Sequence, residues 1–161
     1  YVYVLYNMSS FWGTPTWVFL HTFAEKISDD FYIKNRTDII NIVRNICEGL
    51  PCPICKSHAM EYMRKVNEKT VPNKSKFISM FIHFHNTVNL RLRKKKFDLK
   101  NYDIYKKKNI KIVFNNFKNT YGKQYTSILS RTTREYYREQ QRFSLCKSLF
   151  KWLNTNQWHF R

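Results

Sequence analysis

Apolar residues recur every three or four positions through most of the chain, which is the spacing of buried helix faces. The first such stripe covers residues 17–24 and follows the pair Thr14 and Pro15, which are typical of an N-cap and of a first helical position. We therefore expect the first helix to begin there, with residues 1–10 forming an N-terminal tail. Residues 29–35 are predicted to form the loop after this helix.

The same spacing predicts further helices at about residues 37–48, 52–65, 75–93 and 101–108. Gly49 is expected to end the second helix of the chain, and Cys52 to start the third. Together with the first helix, these segments make four helices and a short fifth one. The sequence therefore predicts an all-α fold, a small bundle with antiparallel neighbours.

Residues 107–161 form a basic, aromatic-rich C-terminal extension, which we expect to be partly helical. Residues 110–117 suit either a strand or a short helix, and periodicity does not decide between the two. Further on, Thr132 and Glu135 match a capping box. The helix that they open would carry one apolar stripe at a/d spacing, made of Phe143, Cys146, Phe150 and Leu153. Such a stripe needs a partner surface, either the bundle or another chain.

Composition excludes several classes of protein. The chain has 161 residues, of which 43% are hydrophobic and 17% aromatic, so it can bury a substantial core and is not disordered. Only 3 Gly and 4 Pro argue against a turn-rich β-sandwich. The longest apolar runs contain a few residues, far fewer than the ~20 that a membrane-spanning helix requires, so we expect no membrane span.

The positive charge is concentrated in the second part of the chain. Residues 1–93 contain 12 basic and 7 acidic side chains, residues 94–161 contain 17 and 4, and the formal net charge is +18. Basic side chains interleaved with Tyr and Phe suit contact with an acidic partner. For residues 107–161 we favour a capsid or other protein partner over nucleic acid, and a plain solvated extension is the remaining alternative.

Cys52 and Cys55 are the first candidates for chemistry. A Cys-x-x-Cys pair at a helix N-terminus brings two thiols close enough to form a disulfide, and the helix dipole stabilises a thiolate there. The alternative is a zinc site, in which His83 and His85 would add two nitrogen ligands to the two sulfurs.

The second candidate is a group of polar residues in a very apolar helix. His85 and Asn89 would share one face of that helix, with Asn86 beside them. Polar side chains in such surroundings cost free energy unless their hydrogen bonds are satisfied. A planar ligand with polar edges would supply the missing partners, and a buried structural network is the alternative.

Three motifs in order carry a family resemblance: Trp12-Gly13-Thr14 with Trp17 and His21, then Cys52-x-x-Cys55, then His85-Asn86-x-Val88-Asn89 with Leu92 and Lys94. This arrangement resembles the Erv/ALR family of FAD-linked sulfhydryl oxidases over residues 11–106. The lead-in at residues 50–59, Leu-Pro-Cys-x-x-Cys-x-x-His-Ala, is most similar to the short branch of the family that large DNA viruses encode.

The resemblance implies a helical bundle around FAD, usually as a homodimer. It gives Cys55 the place next to the flavin and Cys52 the role of the more exposed sulfur, which the incoming dithiol attacks. The cofactor-binding positions that it implies are Gly13, Thr16, Trp17, His21, Cys55, His85, Asn86, Val88, Asn89, Leu92, Lys94 and Tyr105. Tyr102 is the alternative to Tyr105 as an aromatic ring stacked on the cofactor.

The chain also departs from the family. Cellular members have a structural disulfide at two positions that are Ile82 and Leu99 here, and no second Cys-x-x-Cys is present. The remaining cysteines, Cys47 and Cys146, are single, and we expect both to be buried core residues. The part that the resemblance covers therefore keeps one redox-active pair.

The activity that the resemblance implies is FAD-dependent oxidation of dithiols in substrate proteins, with O2 as the acceptor and H2O2 as the product. A virus that assembles in the cytoplasm of its host needs such an enzyme, because that compartment does not sustain disulfides. We therefore expect virion proteins as substrates, and a location in the host cytoplasm and the virion. The alternatives are a zinc-stabilised basic binding module and a flavin-bound structural component of the virion.

Overall fold

The computed structural model describes residues 2–122, 133–156 and 159–160. Its helices are α1 (Val2–Lys26), α2 (Asp29–Lys34), α3 (Arg36–Glu48), α4 (Pro53–Met63), α5 (Lys74–Arg91), a 3₁₀ helix (Leu99–Tyr105), α6 (Ile110–Tyr121) and α7 (Thr133–Thr155). The described residues contain no strand, apart from one isolated antiparallel bridge between Ile27 and Phe160. The predicted all-α class is confirmed, and α3, α4 and α5 agree with their predicted positions to within a few residues.

The first helix is longer than the sequence indicates, so the predicted start at Thr14 is wrong. Helix α1 begins at Val2, which puts residues 2–10 in its first turns and Pro15 in its interior. Nothing between residues 2 and 12 would end a helix, because this stretch has no glycine or proline. Pro15 has no backbone N–H, so one hydrogen-bond donor is missing inside α1. In the same turn, the hydroxyl of Thr16 donates to the carbonyl of Trp12 at 2.7 Å.

The loop predicted at residues 29–35 is also wrong, because most of it forms α2. Ser28 supplies the N-cap, since its hydroxyl oxygen accepts a hydrogen bond from the backbone of Phe31 at 3.4 Å. The two aspartates of the first turn suit the positive end of the helix dipole. Tyr32 is buried, and its hydroxyl donates to the carbonyl of Val71 at 2.7 Å. This short helix therefore covers one end of the core.

Residues 110–117, for which periodicity does not decide between a strand and a helix, form the first part of α6. Its buried side chains, Val113, Phe114, Phe117 and Tyr121, follow helical spacing. The ring of Phe117 stacks on Phe19 of α1 at 4.7 Å between centroids, and the hydroxyl of Tyr121 donates to the carbonyl of Ile46 in α3 at 2.8 Å. Helix α6 is thus part of the same hydrophobic core as α1 and α3.

Helix α7 buries only part of the predicted stripe: Cys146 is buried and Leu153 is partly buried against the core. Thr132 of the predicted capping box lies outside the described residues. The buried positions of α7 are Arg142, Cys146 and Leu149, whereas Phe143 and Phe150 of the predicted stripe are 53% and 48% exposed. The sequence spacing allowed either face, and contact with the bundle selects the one centred on Cys146. The C-terminal segment therefore packs on the bundle in the described residues.

The two single cysteines are buried, as predicted. Burial raises the pKa of the Cys47 thiol to about 12 and that of Cys146 to about 11. Both side chains therefore stay protonated near neutral pH. Among the described helices, none is both long enough and apolar enough to cross a membrane.

Gly49→Ala is expected to destabilise the fold, because a Cβ at this position would lie 2.2 Å from the hydroxyl oxygen of Tyr121. That hydroxyl is buried and hydrogen-bonded, so relieving the overlap should lower the free energy of unfolding by about 1–3 kcal/mol. The matched control is Gly13→Ala, whose Cβ would meet no atom within 4 Å. This change inside α1 should stabilise the protein without cofactor by about 0.5–1 kcal/mol. Urea unfolding of both variants tests the pair, and equal stabilities would contradict it.

Candidate active site

Cys52 and Cys55 form a disulfide at the start of α4, with their Cα atoms 5.1 Å apart. Cys52 is the N-cap of the helix, and its Sγ accepts a hydrogen bond from the backbone of Cys55 at 3.2 Å. Pro53 fits the first helical position because its missing N–H has no partner there in any helix. The local sequence thus holds both sulfurs at a helix N-terminus, where a thiolate is stabilised after reduction.

Aromatic and imidazole rings from α1 and α5 form the second part of the site. The rings of Trp17 and His85 are parallel, with centroids 4.2 Å apart and an interplanar angle of 7°. Nε2 of His21 lies 3.0 Å from Nδ1 of His85, so one imidazole donates a hydrogen bond to the other. This hydrogen bond joins α1 to α5 at the place where the sequence predicts a planar ligand.

The segment after α5 adds further rings to this group. Tyr105 lies nearly parallel to His21 at 4.9 Å, whereas Tyr102 meets the same imidazole edge-on at 5.8 Å. Of the two tyrosines considered for stacking, Tyr105 is therefore the one whose ring is stacked nearly parallel on His21. Phe97 also lies nearly parallel to both imidazoles, at 5.2 Å from His21 and 5.3 Å from His85.

Phe97 is the ring that the sequence analysis missed. The one sequence feature that marks Phe97 is its position as a single aromatic residue in the basic run between Lys94 and Lys100. No periodic pattern marks this segment, so only the tertiary structure brings the ring to the imidazoles. We call the set of Trp17, His21, His85, Phe97 and Tyr105 the ring cluster.

Burial keeps both imidazoles of the ring cluster neutral. It lowers the pKa of His21 to about 3, with a smaller contribution from His85, and that of His85 to about 4, with a smaller contribution from Lys94. The side chain of His21 is fully buried, and its Nδ1 has no hydrogen-bond partner among the described residues. A buried ring nitrogen without a partner is costly, so this atom suits the polar edge of a bound ligand.

Asn86 and Asn89 hold the loop that carries Phe97. The side-chain oxygen of Asn86 accepts from the backbone of Phe97 at 2.7 Å, and its amide nitrogen donates to the carbonyl of the same residue at 3.4 Å. The amide nitrogen of Asn89 donates to the carbonyl of Lys95 at 3.2 Å. The structural network considered for these residues is thus present, and their assignment as cofactor ligands stays a prediction.

The end of α5 is a Schellman motif in which Arg93 takes the place usual for glycine. Arg93 has a φ of 54°, and the backbone of Lys94 donates to the carbonyl of Asn89 at 2.8 Å. Leu92 is the C-cap residue and is 37% exposed. The turn directs the chain back along α5 and so presents the basic loop beside the ring cluster.

The other predicted site residues line the same two helices. Thr16 is buried and uses its hydroxyl on the backbone of α1, and Val88 is partly buried against the core. Gly13 has open space where a Cβ would lie.

Helix α4, which carries the disulfide, is connected to the ring cluster through two aromatic contacts. Tyr62 of α4 stacks on Phe84 at 4.3 Å, and Phe84 in turn meets Trp17 edge-on at 5.1 Å.

The four residues of the zinc alternative do not converge. Cys52 and Cys55 are bonded to each other, His83 lies 2.8 Å from the hydroxyl of Tyr62, and His85 is hydrogen-bonded in the ring cluster. The described residues contain no group of three or more His, Cys, Asp or Glu side chains arranged to hold a metal ion. The geometry instead combines a Cys-x-x-Cys disulfide with a cluster of nearly parallel rings.

Comparison with known proteins identifies the family. The model of the Erv1 / Alr family matches residues 14–109, more than half of the chain, so the chain belongs to this family. It is 36% identical over 103 residues to the FAD-linked sulfhydryl oxidase of an African swine fever virus isolate from Kenya, which is 63% of this chain and 86% of the relative. No solved structure matches the chain significantly.

Two other relatives extend the comparison. An African swine fever virus isolate from Malawi has a FAD-linked sulfhydryl oxidase that is 39% identical over 84 residues, 52% of this chain and 70% of the relative. The FAD-linked sulfhydryl oxidase ERV1 of Arabidopsis thaliana is 30% identical over 91 residues, 56% of this chain and 47% of the plant protein. The similarity therefore includes viral and cellular members.

Acidification from pH 7 to pH 5 is expected to destabilise the protein without cofactor. Each imidazole of the ring cluster titrates near pH 6.5 when unfolded and at about 3 or 4 when folded. Below pH 6.5 the unfolded chain therefore binds protons that the native state does not, and each imidazole lowers the free energy of unfolding by up to about 1.4 kcal/mol per pH unit. Urea unfolding between pH 5 and pH 7 should show this slope, and His85→Gln should reduce it. A slope unchanged by His85→Gln would contradict the prediction.

Arg93→Gly is expected to stabilise the end of α5, because glycine adopts a positive φ without the steric cost that arginine carries. The gain should be about 1 kcal/mol in the free energy of unfolding of the protein without cofactor. Arg93→Ala removes the same charge but keeps a Cβ, so it should give no such gain. Thermal or urea unfolding of the two variants distinguishes backbone relief from a charge effect, and equal gains would identify the latter.

Proposed function

We propose that this protein is a flavin-linked thiol oxidase that forms disulfides in substrate proteins, with O2 as the electron acceptor and H2O2 as the product. One observation carries the proposal: the Cys52–Cys55 disulfide sits at a helix N-terminus in the same bundle as the ring cluster, where a buried imidazole nitrogen lacks a partner. The family match and the relatives that are FAD-linked sulfhydryl oxidases support the same activity.

FAD fits the residues that line the site. The unpaired Nδ1 of His21 would meet a polar atom of the cofactor, and the parallel rings of the cluster suit planar heterocycles. Val88, Leu92 and Lys94 would extend the same surface. Bound FAD supplies the two-electron redox step between the enzyme thiols and O2. The chain contributes the binding surface, the orientation of the disulfide and the thiolate at the helix N-terminus.

The thiol chemistry follows from the placement of the two sulfurs. A substrate thiolate attacks Sγ of Cys52, which forms a mixed disulfide and releases Cys55 as a thiolate. The second substrate thiol then attacks its own partner sulfur in the mixed disulfide, so Cys52 leaves as the second enzyme thiolate. The substrate loses two electrons and gains a disulfide, while the enzyme pair is reduced. The helix N-terminus stabilises the thiolate released at Cys55.

The proposal extends to the setting of the enzyme. The viral relatives and the need for disulfides in a reducing compartment support action on virion proteins in the host cytoplasm, with retention in the virion. We propose that two copies associate as a homodimer, as is usual for the family. The basic C-terminal segment would contact a capsid or other protein partner.

Cys55→Ser and Cys52→Ser should each reduce dithiol oxidation at least about 1,000-fold while the purified protein keeps its flavin, because the exchange step needs both sulfurs. The buried single cysteines give matched controls. Cys47→Ala and Cys146→Ala should keep turnover, since neither thiol lies in the disulfide and both are held protonated. Full activity without Cys52 or Cys55 would contradict the proposal.

The cofactor and the acceptor can be measured in one experiment. Purified protein should show the visible absorption of flavin, lose it when dithiothreitol is added without oxygen, and regain it with release of H2O2 when air is admitted. Oxygen consumption should equal peroxide formation. A colourless protein that carries one equivalent of zinc would instead support the binding-module alternative.

A further inference from the structure

The surface beside the disulfide is apolar. The two positions between the cysteines are Pro53 and Ile54, both exposed, and the lead-in is Leu50-Pro51. Ile54 is 53% exposed, although it is a large hydrophobic residue in the first turn of α4. An exposed isoleucine is unremarkable by itself, but this one lies between the two reacting cysteines in the sequence, in the same turn of α4. Any substrate that reaches Cys52 must come close to it.

The excess positive charge of the chain does not lie on this segment. Between Glu48 and Met63 there are one lysine and two glutamates, in a chain with a net charge of +18. The lysine, Lys56, is 3.6 Å from Glu48, and Glu61 is 3.6 Å from Arg91. The next basic residues of this segment, Arg64 and Lys65, are about 18 Å from Cys52 along the helix, beyond the ~8 Å over which charges act strongly at physiological salt.

We propose that Ile54 is a specificity-determining contact of the oxidase, and that its substrates are reduced protein segments whose reactive cysteine is flanked by apolar side chains. This inference rests on the proposed function and names the substrate class of the same site. Recognition at the disulfide is then apolar, and the basic part of the chain does not select the dithiol.

The geometry of the exchange step explains why the flanking residues matter. In the mixed disulfide, the substrate sulfur is bonded to Sγ of Cys52 at about 2.0 Å. The residues next to the substrate cysteine are then within reach of a side chain two positions from Cys52. Covering the exposed half of an isoleucine favours the complex by about five- to tenfold. A charged flanking residue would lose hydration against the side chain of Ile54.

The test uses two synthetic dithiol peptides with the same Cys-x-x-Cys core, one flanked by Leu and Phe and one flanked by Asp and Glu. For the full-length protein, kcat/KM should be about five- to tenfold higher for the apolar peptide, with little change between 50 and 300 mM salt. Ile54→Ser should remove this preference, and Ile54→Leu should keep it. The matched control is Ile33→Ser, which alters an isoleucine of α2 that is 51% exposed and should leave the preference unchanged.

A second measurement separates this inference from the proposed function. Without oxygen, the rate of stoichiometric exchange between each peptide and the Cys52–Cys55 disulfide depends on peptide contact but not on turnover of a cofactor. The same preference should appear in this rate and should be lost in Ile54→Ser. If exchange shows the preference but the wild-type protein does not consume oxygen, the proposed oxidase function is wrong, and the inferred contact between Ile54 and the substrate is still supported.

Two results would overturn the inference. Faster exchange with the acidic peptide, falling steeply as salt rises, would show that the basic part of the chain selects the substrate. Equal preference in the wild-type protein and in Ile54→Ser would show that Ile54 does not contact the substrate. Either result can occur with normal oxidation of dithiothreitol, so the oxidase function would remain intact.

Discussion

The hydrogen bond between His21 and His85 is the constraint on which the site depends. The buried His21 and the half-buried His85 remain neutral and share one hydrogen bond, which holds the turns of α1 and α5 that carry them against each other. Trp17 then stacks on His85, and the segment after α5 brings Tyr105 against His21. Nδ1 of His21 is buried in this cluster without a hydrogen-bond partner among the described residues.

The site combines two parts that are held by different means. The disulfide depends on local structure, because an N-cap cysteine and a proline at the first helical position present the sulfurs at the end of α4. The ring cluster depends on long-range contacts, including the amide of Asn86, which holds Phe97 eleven residues away. Tyr62 and Phe84 connect the two parts through stacked and edge-on rings. Redox chemistry can thus be local while cofactor binding requires the folded bundle.

The hydrophobic core extends beyond the part of the chain that resembles the family. The family match ends at residue 109, yet Phe117 and Tyr121 of α6 pack on α1 and α3, and Cys146 of α7 lies in the same core. Gly49 leaves the space that Tyr121 fills. Part of the positive charge in the second part of the chain is therefore carried by helices whose apolar faces pack on the bundle, namely Lys111 and Lys118 of α6 and five basic residues of α7.

The sequence by itself determined the all-α class, the approximate positions of α3, α4 and α5, the redox pair and most residues of the ring cluster. The class, the helix positions and the redox pair have local signals in helical periodicity, caps and cysteine spacing, whereas the residues of the ring cluster followed from the resemblance to the Erv/ALR family. The tertiary structure decided the start of α1, the helix at residues 29–34, the buried face of α7 and the placement of Phe97. The buried face of α7 and the placement of Phe97 depend on which surface another segment covers, and this choice has no local signal along the chain. The start of α1 and the helix at residues 29–34 differ from the predictions because Thr14-Pro15 and the polar residues after Ser28 suit more than one position relative to a helix.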